Sequence, residues 1–500
     1  MAKNYQEVSI LHGCYFHSVN LIYSERDTPW VRAMKSITMD DTRELKKYAL
    51  LVATLSAFLT PFMGSSINLA VPAIGREFQL EAVTLNWIVT SFLVASAVFL
   101  LPFGRAADLY GRKRVFLAGM IIYALSSLFS GLATSGEALL LFRVLNGIGG
   151  AMVFGTGVAI LTSIYPPAER GQVLGLNVAA VYTGLSLGPV VGGFLTHQLG
   201  WRYIFFLNVF LGLLVVLVTF SKLRGEWREA RGEDFDPVGA VLYSLGMTAF
   251  MVGMATVSNM PWGRWVLLLG LFLLVWFIRQ ETRYRYPLLN INLFRNVVFA
   301  FSNLAALINY SSTFAIGFLL SLYLQVVKGL DAQMAGFILL SQPVLMALLS
   351  PRAGRLSDRV EPRILASAGM GLTFLGLCLL IFLHQATPLW AVVGDLVLLG
   401  IGFALFSSPN TNAVMGAVEK RYYGVASATL GTMRLLGQAL SMALVTLFFT
   451  FYLKGLAVTA ATSPLLLQSM RISFIVFALL CAGGVFASLA RGRVREKDTA

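Results

Sequence analysis

Three charged residues fall inside long apolar stretches of the sequence: Arg143, Asp395 and Arg434. A charge within an apolar segment of membrane length is costly, so each is a hypothesis of function. Asp395 is the carboxylate that lies clearly inside such a stretch, and a carboxyl group there can bind and release a proton. The alternative for Asp395 is an acid near the first turn of a helix, where the helix dipole stabilises it.

The two arginines have different candidate roles. Arg143 either takes part in proton transfer or extends its side chain to the nearer membrane interface. Arg434 is a candidate partner for a carboxylate or for an anionic substrate.

Patterns that would support enzyme chemistry are missing from the sequence. No Gly-x4-Gly-Lys-Ser/Thr loop for a phosphate and no His-Glu-x-x-His pair for zinc occurs. The three cysteines and four histidines are dispersed along the chain. We therefore predict neither an enzyme nor an ATP-driven pump, and we expect no cofactor and no metal.

The composition excludes a soluble protein. Apolar residues make up 57% of the 500 residues and charged residues 12%, about half of the roughly 25% typical of soluble domains. The 28 residues between Lys47 and Arg76 carry no charge, and crossing a bilayer takes about 20 residues in a helix. The sequence therefore predicts an all-α polytopic membrane protein. We assign the net charge of +14 to loops on one side of the membrane and expect no nucleic acid partner.

Apolar runs of this kind predict fourteen transmembrane helices. The predicted ranges are 48–72, 84–103, 115–133, 138–163, 171–196, 201–221, 237–257, 262–279, 297–325, 332–350, 364–383, 389–411, 424–452 and 470–490. With the N-terminus inside, 30 of the 38 Lys and Arg residues lie in cytoplasmic segments and 6 outside. This asymmetry predicts a multi-pass protein of the cytoplasmic membrane with both termini in the cytoplasm.

The predicted organisation is two six-helix pseudo-repeats with an extra helical hairpin between them. A cytoplasmic lead is expected to be disordered or peripheral, and Met34 or Met39 is an alternative start of the chain. The predicted segments are the lead 1–47, the N-terminal half 48–221, a linker 222–296 with the hairpin 237–257 and 262–279, the C-terminal half 297–490 and a cytoplasmic tail 491–500.

A charged motif occurs once in each half and supports the duplication. The first copy, in a predicted loop at 104–114, contains Gly104, Arg105, Asp108, Gly111 and Arg112. The second copy, in a predicted loop at 351–363, keeps three of the residue types and lacks the second glycine. Its shared residues are Gly354, Arg355 and Asp358.

The predicted helix over 171–196 carries a second motif of five glycines and a proline. Its residues are Gly175, Gly184, Gly188, Pro189, Gly192 and Gly193. So many glycines destabilise a helix in water, whereas in a membrane they let neighbouring helices approach closely.

With these motifs the sequence resembles the major facilitator superfamily and, within it, the fourteen-helix drug:proton antiporters. The resemblance covers residues 45–490. It implies that the Gly104 motif braces the cytoplasmic face of the outward-open state, and that the glycine motif marks exporters. It also implies a role for Arg143 in proton transfer, although Asn146 stands where the family usually has Gln.

One departure from the family concerns the first helix, which has Gly64 near the usual position of an aspartate. The resemblance predicts a monomeric exporter in the lipid bilayer that moves amphipathic small molecules against protons, with the proton gradient as energy source. Alternatives are a proton-independent facilitator, an exporter of one metabolite, or a membrane sensor that transports nothing. Asn68, Asn410 and Asn412 are the polar candidates for the substrate cavity.

Overall fold

The computed structural model describes residues 29–80, 82–257, 260–453 and 460–492. The chain divides into two units after Lys47. The predictions for residues 1–28 and for the tail beyond residue 492 lie outside the described residues. Regular structure within the described ranges is helical and includes no strand.

Sixteen α-helices occur in the described ranges, and they form fourteen segments long and apolar enough to cross a membrane. The helices are α1 Pro29–Phe78, α2 Ala82–Tyr110, α3 Arg112–Gly131, α4 Gly136–Ile164, α5 Pro167–Gln198, α6 Arg202–Lys222, α7 Pro237–Thr256, α8 Gly263–Glu281, α9 Val297–Thr313, α10 Ile316–Leu322, α11 Ala332–Leu339, α12 Ser341–Ser357, α13 Pro362–Leu380, α14 Leu389–Gly416, α15 Tyr423–Leu453 and α16 Ser463–Ala490. The predicted number of spans is therefore confirmed.

Two predicted helices are interrupted. The ninth span divides into α9, α10 and a π-helical turn, and at the break the Ala315 N–H donates to Ser441 Oγ instead of to its own helix. The tenth span divides into α11 and α12, because Pro343 has no N–H for the helical hydrogen bond.

The predicted loops 104–114 and 351–363 are largely helical, which corrects the sequence interpretation. Helix α2 continues to Tyr110 and α12 to Ser357. Charge ends the apolar part of a span, but it does not end the backbone hydrogen-bond ladder. Only Gly111 separates α2 from α3, and its φ of 119° is a conformation that favours glycine.

The two halves meet mainly through two helix pairs, α5 with α12 and α2 with α15, and smaller contacts join α4 with α15 and α5 with α14. The hairpin α7–α8 packs along the second pair, where Tyr243 and Met247 join a buried cluster with Leu101 of α2 and Val425 of α15. The two halves and the hairpin predicted from the sequence are thus present.

Two acids are buried at the base of the hairpin. Asp236 is fully buried and Glu281 is 2% exposed. Asp236 Oδ2 and Glu281 Oε1 have no hydrogen-bond partner in the described ranges, and a Cβ added to Gly239 would collide with both oxygens. The remaining oxygens accept backbone N–H groups, from Gly239 at 2.9 Å and from Leu289 at 2.6 Å.

Arg491 belongs to the folded bundle and not to a solvated tail, which corrects the boundary of the last segment. Its side chain is fully buried. It donates to Asn410 Oδ1 at 2.8 Å, to Ser302 Oγ at 3.2 Å and to the Pro362 carbonyl at 3.0 Å. Burial lowers the pKa of Arg491 to about 10. Hydrophobicity alone could not predict this position, because the arginine is buried by hydrogen bonds to distant helices.

Candidate functional site

Asp108 connects the two halves of the bundle at the end that carries the charged motif, here called the motif end. Its carboxylate accepts the backbone N–H groups of Gly424 at 2.8 Å and Val425 at 3.0 Å, in the first turn of α15. It also accepts Arg112 Nε at 3.0 Å and Nη2 at 2.7 Å. A helix N-terminus offers unpaired N–H groups and a positive dipole end, so a carboxylate stabilises it.

Arg112 extends this link and is fully buried. It donates to Ser163 Oγ of α4 at 2.6 Å and to the carbonyl oxygen of Lys420. Its guanidinium group also lies 5.3 Å from the centre of the Tyr423 ring. One arginine therefore contacts the first half through α4 and the second half through the segment before α15.

The second motif copy makes the corresponding link on the other helix pair. Asp358 accepts the N–H groups of Gly171 at 2.6 Å and Gln172 at 2.9 Å, in the second turn of α5. Pro362 stands at the position equivalent to Arg112, and Arg355 is exposed. Each aspartate thus accepts two backbone N–H groups near the start of a helix of the opposite half, Asp108 in the first turn of α15 and Asp358 in the second turn of α5.

Glycines allow both links to form. The Gly104 backbone passes so close to α15 that an added Cβ would lie 2.7 Å from the Gly424 carbonyl oxygen. In the second copy, Cβ atoms at Gly354 or Gly171 would collide with the backbone of the facing glycine. Only residues without a side chain fit at these two crossings.

The glycine motif of α5 faces two different helices. Gly184, Gly188 and Gly192 face α1, where a Cβ at any of them would collide with that helix. Ser66 Oγ of α1 donates to the Gly188 carbonyl at 2.9 Å. Gly175 instead faces α12 of the other half. These contacts establish close helix packing by the motif.

The remaining motif residues fit this arrangement. A Cβ at Gly193 would lie 3.3 Å from the Leu69 side chain, which is close but can be accommodated. Pro189 is tolerated within α5 without ending it.

A cavity lies between α1, α4, α5, α14 and α15, and its wall is mostly apolar. The polar residues of the wall are Ser56, Thr60, Asn177, Thr411, Ser427 and Arg434. Arg434 is the one ionisable side chain among the wall residues. Apolar walls with a few polar groups are typical of sites for small organic molecules.

Aromatic rings from both halves hold Arg434. Its guanidinium group lies 5.0 Å from the ring centre of Phe154 on α4 and 5.0 Å from that of Tyr310 on α9. Tyr310 in turn stacks edge to face on Phe403, which contacts Tyr182 of α5 in the same way. Arg434 Nε is buried without a hydrogen-bond partner in the described part of the chain.

The structure does not bring the three predicted charges together. Asp395 is buried, and neither carboxylate oxygen has a hydrogen-bond partner among the described residues. It precedes Thr411 of the cavity wall by sixteen residues of α14, about 24 Å along a helix axis. Arg143 lies ten residues before Val153 of the wall, about 15 Å away along α4.

Arg143 has its own buried surroundings. Its Nε donates to the Ile88 carbonyl at 3.0 Å and Nη1 to Asn146 Oδ1 at 3.3 Å. The guanidinium group lies 4.7 Å from the Phe92 ring centre, and the Asn146 amide donates to the Tyr123 carbonyl at 3.1 Å. These buried contacts do not fit a side chain that extends to the interface.

None of the three predicted asparagines lines the cavity. Asn68 is exposed, Asn410 donates to the Ser302 carbonyl at 3.1 Å, and Asn412 donates to Ser357 Oγ at 3.1 Å. Thr411 between the latter two lies in the wall instead, because successive helix residues point about 100° apart.

The sequence analysis also missed Asn177 and the two rings around Arg434. Asn177 donates to the Ala53 carbonyl of α1 at 3.0 Å. No local pattern distinguishes these side chains from the many other aromatic and small polar residues of the spans, and only the packing of the helices identifies them.

Comparison with known proteins gives a consistent set of similarities. The family model described as Major Facilitator Superfamily matches residues 53–442 and 302–499. The riboflavin transporter RibZ of Clostridioides difficile is 28% identical over 81% of this chain and 88% of its own length. The multidrug resistance protein Stp of Mycobacterium tuberculosis is 31% identical over 79% of this chain and 74% of its own length.

The cephamycin export protein CmcT of Amycolatopsis lactamdurans is 31% identical over 79% of this chain and 83% of its own length. Among solved structures, the proton:xylose symporter XylE superposes with a TM-score of 0.61 at 14% identity, covering 89% of this chain and 95% of that chain.

Proposed function

The chain belongs to the major facilitator superfamily of transporters, and we propose that it exports amphipathic small molecules from the cytoplasm by proton antiport. The names of two relatives, a multidrug resistance protein and an export protein, support export. The glycine motif on α5, typical of exporters in the resemblance stated above, supports the same direction.

The observation that carries the proposal is the pair of aspartate links at the motif end. Asp108 binds the first turn of α15 and Asp358 the second turn of α5, so each joins one half to the other. Bonds of this kind close one end of the bundle in one state and break in the other, as alternating access requires. The Lys and Arg distribution supports the proposal that this end faces the cytoplasm.

Asp395 is the proposed proton site. It is buried in α14 and lacks an ionic or hydrogen-bonding partner among the described residues. A carboxyl group in such surroundings can change its protonation when the bundle opens to water. The position of Asp395, far along α14 from the cavity, requires coupling through helix movement instead of direct competition with the substrate.

The remaining parts of the proposal follow from the same mechanism. The transporter would act as a monomer in the cytoplasmic membrane with both termini inside, and would use the proton gradient without a cofactor. A proton-independent carrier of a metabolite remains the second candidate, because α1 has Gly64 where an acid is usual and because one relative is named a riboflavin transporter. A sensor that transports nothing is the third.

The test uses purified protein in liposomes that contain a pH-sensitive dye. Fluorescent amphipathic substrates of either charge are added with and without an imposed proton gradient. We expect substrate-dependent proton movement, and we expect Asp395→Asn to abolish the proton movement because the amide cannot ionise. Asp331→Asn is the matched control, since Asp331 is an exposed helix cap that accepts the Met334 N–H at 2.7 Å and an amide caps equally well.

The other outcomes separate the alternatives. Substrate movement without proton movement would favour the proton-independent carrier. Proton coupling that persists in Asp395→Asn would remove Asp395 from the mechanism. Absence of movement for every compound of the panel would contradict export of amphipathic molecules.

A further inference from the structure

We propose that the cavity around Arg434 selects amphipathic anions, that is, organic acids with one carboxylate or sulfonate on an apolar body. This inference rests on the proposed transport function and adds the substrate class. It depends on four observations: the charge of the cavity wall, the surroundings of Arg434, the hydrogen bonds of the polar wall residues and the position of Arg434 between the halves.

The charge of the wall is unbalanced. Among the described residues of the wall, Arg434 is the one that ionises, and none is an Asp or a Glu. No ion pair of Arg434 with a carboxylate occurs within the ranges that the structure describes. An unpaired guanidinium group in apolar surroundings is unfavourable, and an anionic ligand would compensate its charge.

The surroundings of Arg434 leave its polar edge available. The rings of Phe154 and Tyr310 contact the guanidinium group, and such contacts position the group and partly offset its desolvation. Nε has no acceptor in the described part of the chain. A guanidinium group presents donors in a planar fork that matches a carboxylate or sulfonate.

Three other polar residues of the wall, Ser56, Asn177 and Thr411, already donate hydrogen bonds to backbone carbonyls. Ser56 Oγ donates to the Ala53 carbonyl at 3.0 Å, and Thr411 Oγ1 to the Ser407 carbonyl at 2.9 Å. The Asn177 amide also donates to the Ala53 carbonyl. Because Arg434 supplies the charge of the described wall, the charged head of a ligand depends on Arg434, while the apolar body packs on the remaining wall.

The position of Arg434 couples this site to the movement of the halves. The arginine and Tyr310 belong to the second half, whereas Phe154 belongs to the first. Rocking of the halves changes the ring contacts of the guanidinium group, so an anion bound there senses which state the transporter adopts. A lipophilic cation lacks an opposing charge in the wall and is repelled by the arginine.

The test measures binding, which requires neither transport nor a proton gradient. Three fluorescent probes share one apolar body: anthracene-9-carboxylate, the neutral anthracene-9-carboxamide and the cationic 9-(aminomethyl)anthracene. Their dissociation constants are measured on the purified full-length protein at pH 7. We expect the carboxylate to bind about 10- to 100-fold more tightly than the amide, the range for hydrogen bonds to a charged group, and the cation to bind most weakly.

Arg434→Gln should remove the preference for the carboxylate while the amide still binds, and the retained amide binding shows that the variant is folded. Arg471→Gln is the matched control, because Arg471 is an exposed arginine of α16 outside the cavity wall. Equal affinity for the three probes, or a carboxylate preference that survives Arg434→Gln, would overturn the proposal.

Flux measurements distinguish this inference from the proposed export. If the carboxylate binds through Arg434 but is not moved in liposomes, the anion site stands and export of this compound fails. If cations are exported against protons while the carboxylate is ignored, export stands and the anion site is refuted.

Discussion

Replacing Asp108 by asparagine tests whether the motif end is held closed by charge. The carboxylate accepts two N–H groups of α15 and two from Arg112, and both side chains are fully buried. The amide keeps one acceptor oxygen, turns an N–H donor towards other donors and leaves Arg112 unpaired.

The size of the expected shift between the closed and open states follows from the cost of breaking a buried ion pair, about 3–5 kcal/mol. Water can hydrate Arg112 when the halves separate, so this cost applies to the closed motif end and not to the open one. Since 1.4 kcal/mol is a factor of ten, Asp108→Asn should shift the equilibrium towards the open motif end by about two to four powers of ten.

The assay measures the distance between nitroxide labels on the two halves. Arg114 in α3 and Arg421 before α15 are exposed and are replaced by labelled cysteines, after the three native cysteines are changed to serine. Asp108→Asn should convert a short-distance population into a longer one, and Asp331→Asn should leave the distribution unchanged.

The double variant Asp108→Asn with Arg112→Met is a sharper test. It should lie closer to the native distribution than Asp108→Asn alone, because no unpaired buried charge remains. A native distribution in Asp108→Asn would refute the reasoning, and equal shifts in the single and double variants would show that loss of helix capping alone opens the end.

Two further predictions concern thermal unfolding of the purified protein. Gly104→Ala should lower Tm and slow transport, because the added Cβ meets backbone atoms of α15. The control is Gly371→Ala, whose added Cβ meets no atom within 4 Å and which should not lower Tm. Equal changes in Tm for the two variants would contradict the argument that α2 and α15 cross too closely for a side chain. Glu281→Gln should raise Tm at alkaline pH, where both acids would otherwise be ionised side by side, because an amide can donate to the Asp236 oxygen without a bound proton, a gain of about 1–3 kcal/mol. The exposed Glu229→Gln should leave Tm unchanged, and a lower Tm for Glu281→Gln would show that the two acids share a proton favourably.

The sequence alone determined the number of spans, the duplication and the hairpin. Crossing a membrane requires consecutive apolar residues, so each span can be recognised from a continuous stretch of the sequence. The two charged motifs are equally local, since Gly104 and Asp108 keep the same spacing as Gly354 and Asp358. These features were predicted correctly without any knowledge of how the helices pack.

The tertiary structure decided which residues meet. Asp108 binds the N–H of Gly424, 316 residues later in the chain, and no local pattern identifies that partner. The same holds for the cavity: Thr411 lines it while Asn410 and Asn412 do not, because the rotation of α14 about its axis is set by packing against other helices. Apolar run length determines that a helix crosses the membrane, whereas contacts between distant helices determine which face of it binds a ligand.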